Sequence, residues 1–341
     1  VSPTPFTSTS RFAILVLALC CVFWGFSFPV NQLGIHTLHT HIPVTGQRAP
    51  IWNETAAAAT YLGWRFLLAG LIFALVFNKA LFHSGHFAWR GGLIVGGFFS
   101  CGMLVQMAGL SYTRPSISGF LTALVVVFTP LAQAYLLKRP VSLVTWGAVV
   151  LALGGAWVMT QQTGDAASGS EARVRVPPFP FFGEILSILG SIFFTIQMLA
   201  IDFYGKRDDP RQITLAMFGV TAVAGIAAGS LFSDGSFYAS GAWLNAAAEW
   251  NVRWTMASVI LFSTLLAMFL MNIYQPRLAP ATASVVYCLE PVFALSFSVL
   301  FQTERLTVAT TIGGASILAA VLLAARQEEP APAPPVTLHA E

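Results

Sequence analysis

Long apolar runs separated by short polar turns make up most of the chain. Ten stretches are apolar throughout: residues 12–30, 60–77, 91–110, 116–137, 143–160, 182–201, 213–232, 254–274, 281–301 and 307–325. A helix rises 1.5 Å per residue, and about 30 Å of hydrocarbon calls for about 20 residues, so each stretch predicts a membrane-crossing helix. Their only acidic or basic side chains are Arg65, Glu184 and Glu290. The remaining charges sit in turns and tails, as the cost of a charge in lipid requires.

Composition agrees with this pattern. Hydrophobic residues form 56% of the 341 and charged residues 9%, where a soluble domain has about 25% charged residues. A water-soluble fold of this length could not cover its surface. Cys20, Cys21, Cys101 and Cys288 all lie in apolar runs, which excludes a secreted disulfide scaffold. A net charge of +3 from 17 basic and 14 acidic residues excludes nucleic acid as a partner. The expected fold class is an all-α integral membrane protein with ten transmembrane helices, and its expected surroundings are the lipid bilayer and a small-molecule substrate. It is expected to act as a monomer or homodimer. The first run follows Arg11 and lacks a small-x-small cleavage site, so it reads as an uncleaved helix.

Orientation follows from the basic residues. With a cytoplasmic N-terminus, ten of the 17 basic residues, including all three lysines, fall in inner loops and tails. Both termini are therefore expected in the cytoplasm, with the chain in the cytoplasmic membrane. Residues 1–11 and the Pro-rich 326–341 read as tails, 161–181 as a polar outer linker, and 31–59 as a long outer loop.

The chain also repeats. Residues 113–160 align with 278–325 at a constant offset of 165 without a gap. Pro115 meets Pro280, Val127-Phe128 meets Val292-Phe293, Ser142 meets Thr307 and Thr145 meets Thr310. The halves, 12–160 and 182–325, would carry five helices each. An odd count makes the second half enter the bilayer upside down relative to the first. Such a 5+5 inverted repeat is the architecture of secondary transporters, whose substrate sites lie near the midplane between halves.

Several motifs resemble a known family. They are Phe23-Trp24-Gly25-Phe26-Ser27, Arg65-Phe66-Leu67-Leu68, Leu110-Ser111-Tyr112-Thr113, Leu289-Glu290-Pro291-Val292-Phe293-Ala294 and Glu304-Arg305-Leu306-Thr307. In this order the sequence is similar to EamA-type members of the drug/metabolite transporter superfamily, over residues 12–325. The resemblance implies a ten-helix carrier for small metabolites. Two features depart from the family pattern: the length of 31–59, and Lys138-Arg139-Pro140 where Gly-Glu-Arg is expected.

Candidate substrate-binding residues are Trp24, Gln106, Thr122, Gln197 and Tyr287. By resemblance, the helices carrying Gln106, Thr122, Gln197 and Tyr287 face the central cavity. Trp24 adds a flat apolar face with one donor. Glu290 has two readings. A carboxylate at membrane depth can load and release a proton, or it can brace backbone that Pro291 frees. Arg65 reads as a side chain reaching the outer surface, with anion recognition as the alternative, and Glu184 as a helix cap. His36, His39 and His41 lack carboxylate or thiolate companions, so no metal is expected. The absence of a phosphate loop means that no ATP-driven step or cofactor is expected. A mainly neutral lining with no buried lysine favours amino-acid-like, neutral or amphipathic solutes over phosphorylated ones. Of the rival readings, a lipid-modifying intramembrane enzyme would want clustered acids for a metal or a nucleophile–base pair, and neither is found, while a non-transporting anchor would not require midplane polar groups drawn from five helices.

Overall fold

The computed structural model describes residues 8–42, 51–82, 89–110, 112, 121–136, 138, 140–160, 181–233, 235–301 and 306–325. Among these residues all regular structure is helical. Seven helices come first: α1 (Ser8–His39), α2 (Ile51–Phe82), α3 (Trp89–Leu110), α4 (Val125–Tyr135), α5 (Leu143–Thr160), α6 (Phe182–Tyr204) and α7 (Pro210–Phe232). Two short helices, α8 (Ser236–Ala239) and α9 (Ala242–Ala248), lead into a composite rod. The rod runs through α10 (Trp250–Ser258), a π-helical segment (Val259–Leu266), α11 (Ala267–Tyr274) and a 3-10 turn (Gln275–Arg277). The chain then forms α12 (Pro280–Tyr287), α13 (Leu289–Leu300) and α14 (Val308–Ala325).

Seven stretches of the described residues are long and apolar enough to cross a membrane: Ser10–His39, Thr55–Asn78, Arg90–Gly109, Phe182–Tyr204, Pro210–Phe232, Trp250–Arg277 and Pro280–Leu300. Three shorter apolar helices accompany them, at Val125–Tyr135, Leu143–Val158 and Val308–Ala324. Large apolar side chains point outward from many of these helices; Leu75, for instance, is 74% exposed. In water such a surface would be costly, whereas hydrocarbon is its natural solvent.

Local chemistry sets several helix starts. Asp209 caps α7 by accepting from the Arg211 N–H at 2.8 Å, with Pro210 at the first helical position. Ser142 Oγ accepts from the Thr145 N–H at the start of α5, and Thr307 Oγ1 accepts from the Thr310 N–H at the start of α14. These two caps occupy positions matched by the 165-residue offset.

Close backbone crossings hold the principal helix pairs together. A Cβ added to Gly225 of α7 would lie 2.6 Å from the Gly63 N of α2, and one on Gly155 of α5 would lie 2.6 Å from the Gly313 O of α14. Gly109 of α3 and Gly183 of α6 face each other the same way, each 2.9 Å from the other's carbonyl. Small residues let helices approach where lipid supplies no hydrophobic drive between them. Further extensive contacts join α3 to α7, α1 and α2 to the composite rod, α1 to α13, and α4 to both α6 and α12. Two apolar cores result. One is built mainly from α2, α3, α7 and the rod, the other mainly from α5, α12, α13 and α14.

Three sequence expectations need correction. The region 31–59 is mostly helix, because α1 continues to His39 and α2 begins at Ile51; residues 43–50 lie outside the described set. Leu38 and Ile42 pack with Ala56, Ala57 and Tyr61, so the two extensions support each other. The His41 ring also faces Glu249 at 3.6 Å. Second, 281–301 is two helices rather than one, with a turn at Cys288. Pro291 has no N–H for the Tyr287 carbonyl, and its ring crowds that carbonyl. Third, the rod is α-helical only at its ends. Of 116–137, residues 116–120 and 137 lie outside the described residues, and a turn at Ala123-Leu124 precedes α4.

Candidate functional site

The break after α12 brings together side chains from distant parts of the chain. Tyr287 is the last residue of α12, and its ring packs edge-on against Trp24 of α1, with centroids 5.4 Å apart. The Tyr287 hydroxyl donates to Gln275 Oε1 at 2.8 Å, and Gln275 Nε2 donates to the Met198 carbonyl of α6 at 3.1 Å. On its other side, Trp24 Nε1 donates to the Ser263 carbonyl of the π segment at 3.2 Å. The Ser263 hydroxyl in turn accepts from Arg65 Nη2 of α2 at 2.8 Å. A chain of hydrogen bonds joined by one ring contact thus runs Arg65–Ser263–Trp24–Tyr287–Gln275–Met198, linking α2, the rod, α1, α12 and α6. It lies along the seam between the two apolar cores, since Tyr287 packs against both of them.

A second polar pair lies before α4. Gln106 Nε2 of α3 donates to Thr122 Oγ1 at 2.9 Å. Thr122 immediately precedes the turn at Ala123-Leu124, as Tyr287 immediately precedes the turn at Cys288. Thr122 and Tyr287 are 165 residues apart, so both expected binding residues occupy the same register position, each beside a helix interruption.

The structure therefore joins Trp24 to Tyr287 and Gln106 to Thr122. Gln197 is only 4% exposed, and its Nε2 has no hydrogen-bond partner. Glu290 stands in the first turn of α13, a position where a helix favours negative charge. It is partly buried, within electrostatic reach of Tyr287, Cys288 and Cys21. Across the seam, Gln133 Oε1 of α4 accepts from the Ala281 N–H at 3.1 Å and so caps α12.

Arg65 departs from expectation. It is 3% exposed and does not reach an outer surface. Its Nε donates to Thr264 Oγ1 at 2.5 Å, and its guanidinium stands over the Phe66 ring at 5.4 Å. Sequence reasoning treated Arg65 as a surface-seeking side chain because it lies near one end of an apolar run. The adjacent hydroxyls of Ser263-Thr264 inside another apolar run were the available signal for a buried partner. Gln275 fell outside every expected span and could be recognised only through the 3-10 turn that carries it inward.

Known proteins resemble this chain in sequence and in fold. The model of the EamA-like transporter family matches residues 11–161 and again 181–326. An "Uncharacterized transporter" of Archaeoglobus fulgidus is 25% identical over 318 residues, covering 92% of this chain and 85% of that protein. A solved crystal structure superposes with a TM-score of 0.62 at 14% identity, covering 92% of this chain and 96% of the other, a likeness of fold.

Proposed function

Because the chain belongs to the EamA-like transporter family and is a multi-pass membrane protein, we propose that it is a secondary carrier moving a small organic solute by alternating access. The solute is amino-acid-like, neutral or amphipathic, and it binds at the seam lined by Trp24, Gln106, Thr122, Gln197 and Tyr287. The chain sits in the cytoplasmic membrane with both termini in the cytoplasm. Residues 12–160 and 182–325 form two inverted five-helix halves.

The observation that carries this reading is the pair of register-matched helix interruptions. One follows Thr122 and the other follows Tyr287, and each is flanked by a side-chain hydrogen bond. Broken helices at membrane depth are tolerated where backbone is buried in protein or lines a cavity, which is how carriers build midplane sites. The contact pattern adds support. If α1 to α5 are exchanged with α6, α7, the rod, α12–α13 and α14, the α2–α7, α5–α14 and α4–α12 pairs map onto themselves. The same exchange turns α3–α7 into the rod–α2 contact, α3–α6 into rod–α1, and α4–α6 into α13–α1. The contact of α1 with α2 has no comparable partner between α6 and α7 and belongs to the extended ends of the first pair. Two separate matches to one family model point the same way.

Glu290 is read as the proton-loading group. It makes no hydrogen bond or ion pair among the described residues, which supports proton loading over bracing of the backbone at Pro291. Its carboxylate is available to an entering proton or solute.

Counterflow of radiolabelled amino acids and related amphipathic solutes in proteoliposomes tests the proposal. Saturable exchange that Tyr287→Ala abolishes is expected, and uptake that never saturates would refute it. Cysteines introduced at Ser8 and Gln327 are expected to react with a membrane-impermeant maleimide only after cells are opened. Labelling of the two on opposite faces would break the ten-pass arrangement.

A further inference from the structure

We infer that Arg65 is the anion-recognition residue of the seam and that the solute carries a carboxylate. This deepens the carrier reading and rests on it for identifying the bound anion with the transported solute.

The first observation is an unbalanced charge. Arg65 is buried, and among the described residues no carboxylate pairs with it. Guanidinium remains protonated in proteins, so a permanent positive charge sits in low-dielectric surroundings. Removing such a charge from water is costly unless a counter-ion or a full set of hydrogen bonds compensates. Here the set is incomplete. Of the five N–H donors, one goes to Thr264 and one to Ser263, and no other hydrogen bond from this side chain is made among the described residues.

The second observation concerns how those two acceptors are presented. Both belong to the π-helical segment, a rare form that recurs at functional sites. The Thr264 hydroxyl donates to the Val259 carbonyl at 3.0 Å, which turns its oxygen lone pairs toward Arg65. Ser263 offers its hydroxyl to Arg65 and its carbonyl to the Trp24 indole. The π segment therefore holds neutral oxygens against the guanidinium beside the Trp24–Tyr287 ring pair. A carboxylate makes charge-assisted, two-pronged bonds to arginine that are stronger than bonds to hydroxyls, so it can replace them. One arginine with no lysine in the spans balances one negative charge. That matches a monocarboxylate or a zwitterion better than a phosphate dianion. The apolar part of the solute would then lie against the Trp24 and Tyr287 rings.

The test uses the full chain in detergent and solutes that differ only in charge: leucine and leucinamide, phenylalanine and its amide, benzoate and benzamide. Binding is read from shifts in melting temperature across a concentration series. At least one acid is expected to bind the wild type about tenfold or more tightly than its amide, the ratio that one charge-assisted contact supplies. Arg65→Gln is expected to lower the acid's affinity to that of the amide, and Arg65→Lys, which keeps a point charge but loses the fork, to fall between. If the wild type binds no acid more tightly than its amide, the inference is overturned. The same follows if Arg65→Gln keeps the preference. Acid-selective binding without counterflow of that acid supports the anion site and overturns the carrier reading.

Discussion

Replacing Gly225 by alanine probes the α2–α7 crossing with a single methyl group. The added carbon would lie 2.6 Å from the Gly63 N, 2.7 Å from the Gly63 Cα and 2.9 Å from the Ala59 carbonyl oxygen. All three are backbone atoms, which cannot rotate away as a side chain can. Ordinary van der Waals contact begins at 3.4 Å, so the backbones must part by about 0.8 Å at the crossing. A gap of that size forfeits a quarter to a half of each dispersion contact along the neighbouring turns, and overpacking of this kind costs about 1–3 kcal/mol. Gly219 provides the control on the same helix. It is exposed, and nothing lies within 4 Å of its added carbon. Gly219→Ala is therefore expected to be neutral or to gain up to about 1 kcal/mol from helix propensity. Thermal unfolding of the purified variants, followed by tryptophan fluorescence at fixed detergent concentration, reads both changes. Gly225→Ala should melt lower than the wild type and Gly219→Ala at or above it. Equal shifts of the same sign would show that the crossing is not the tight contact described.

Three more outcomes follow from the seam. Tyr287→Phe keeps the ring against Trp24 but deletes the bond to Gln275, so it should cost about 1 kcal/mol in stability and reduce exchange more than Phe26→Leu, a packing change elsewhere on α1. Gln133→Ala removes the acceptor that caps α12 at Ala281 and leaves a buried N–H unpaired, which should cost about 1–3 kcal/mol in a melting assay. Glu290→Gln should remove the proton dependence of exchange between acidic and alkaline buffers while leaving folding intact; an unchanged pH profile would return Glu290 to a purely structural role.

Much of the architecture was readable from periodicity and length. The apolar runs and the polar turns between them located most of the helical stretches, and the 165-residue offset paired Ser142 with Thr307, which the structure shows capping α5 and α14. Gly225 and Gly229 stand four positions apart, a spacing suited to close packing, and both meet α2 at the α2–α7 crossing. Partners were harder to read. Trp24 and Gln106 stood out because polar or amphipathic groups inside apolar runs are conspicuous, yet nothing local connects Trp24 to Ser263, 239 residues away. Arg65 was misread for the same reason: its distance from the end of the run suggested an escape to water, whereas two hydroxyls 198 and 199 residues further along hold it inside.

Sequence by itself determined that this chain is helical and lives in lipid, because hydrocarbon offers backbone groups no hydrogen-bond partners and helices satisfy their own. It did not determine where a helix fails: Pro29 and Pro130 lie within α1 and α4, whereas the chain breaks at Cys288 ahead of Pro291. Tertiary structure decided which face of each helix turns inward, and so which polar side chains meet. That choice depends on backbone crossings at small residues and on a π segment, both set by neighbours hundreds of positions apart rather than by any adjacent residue.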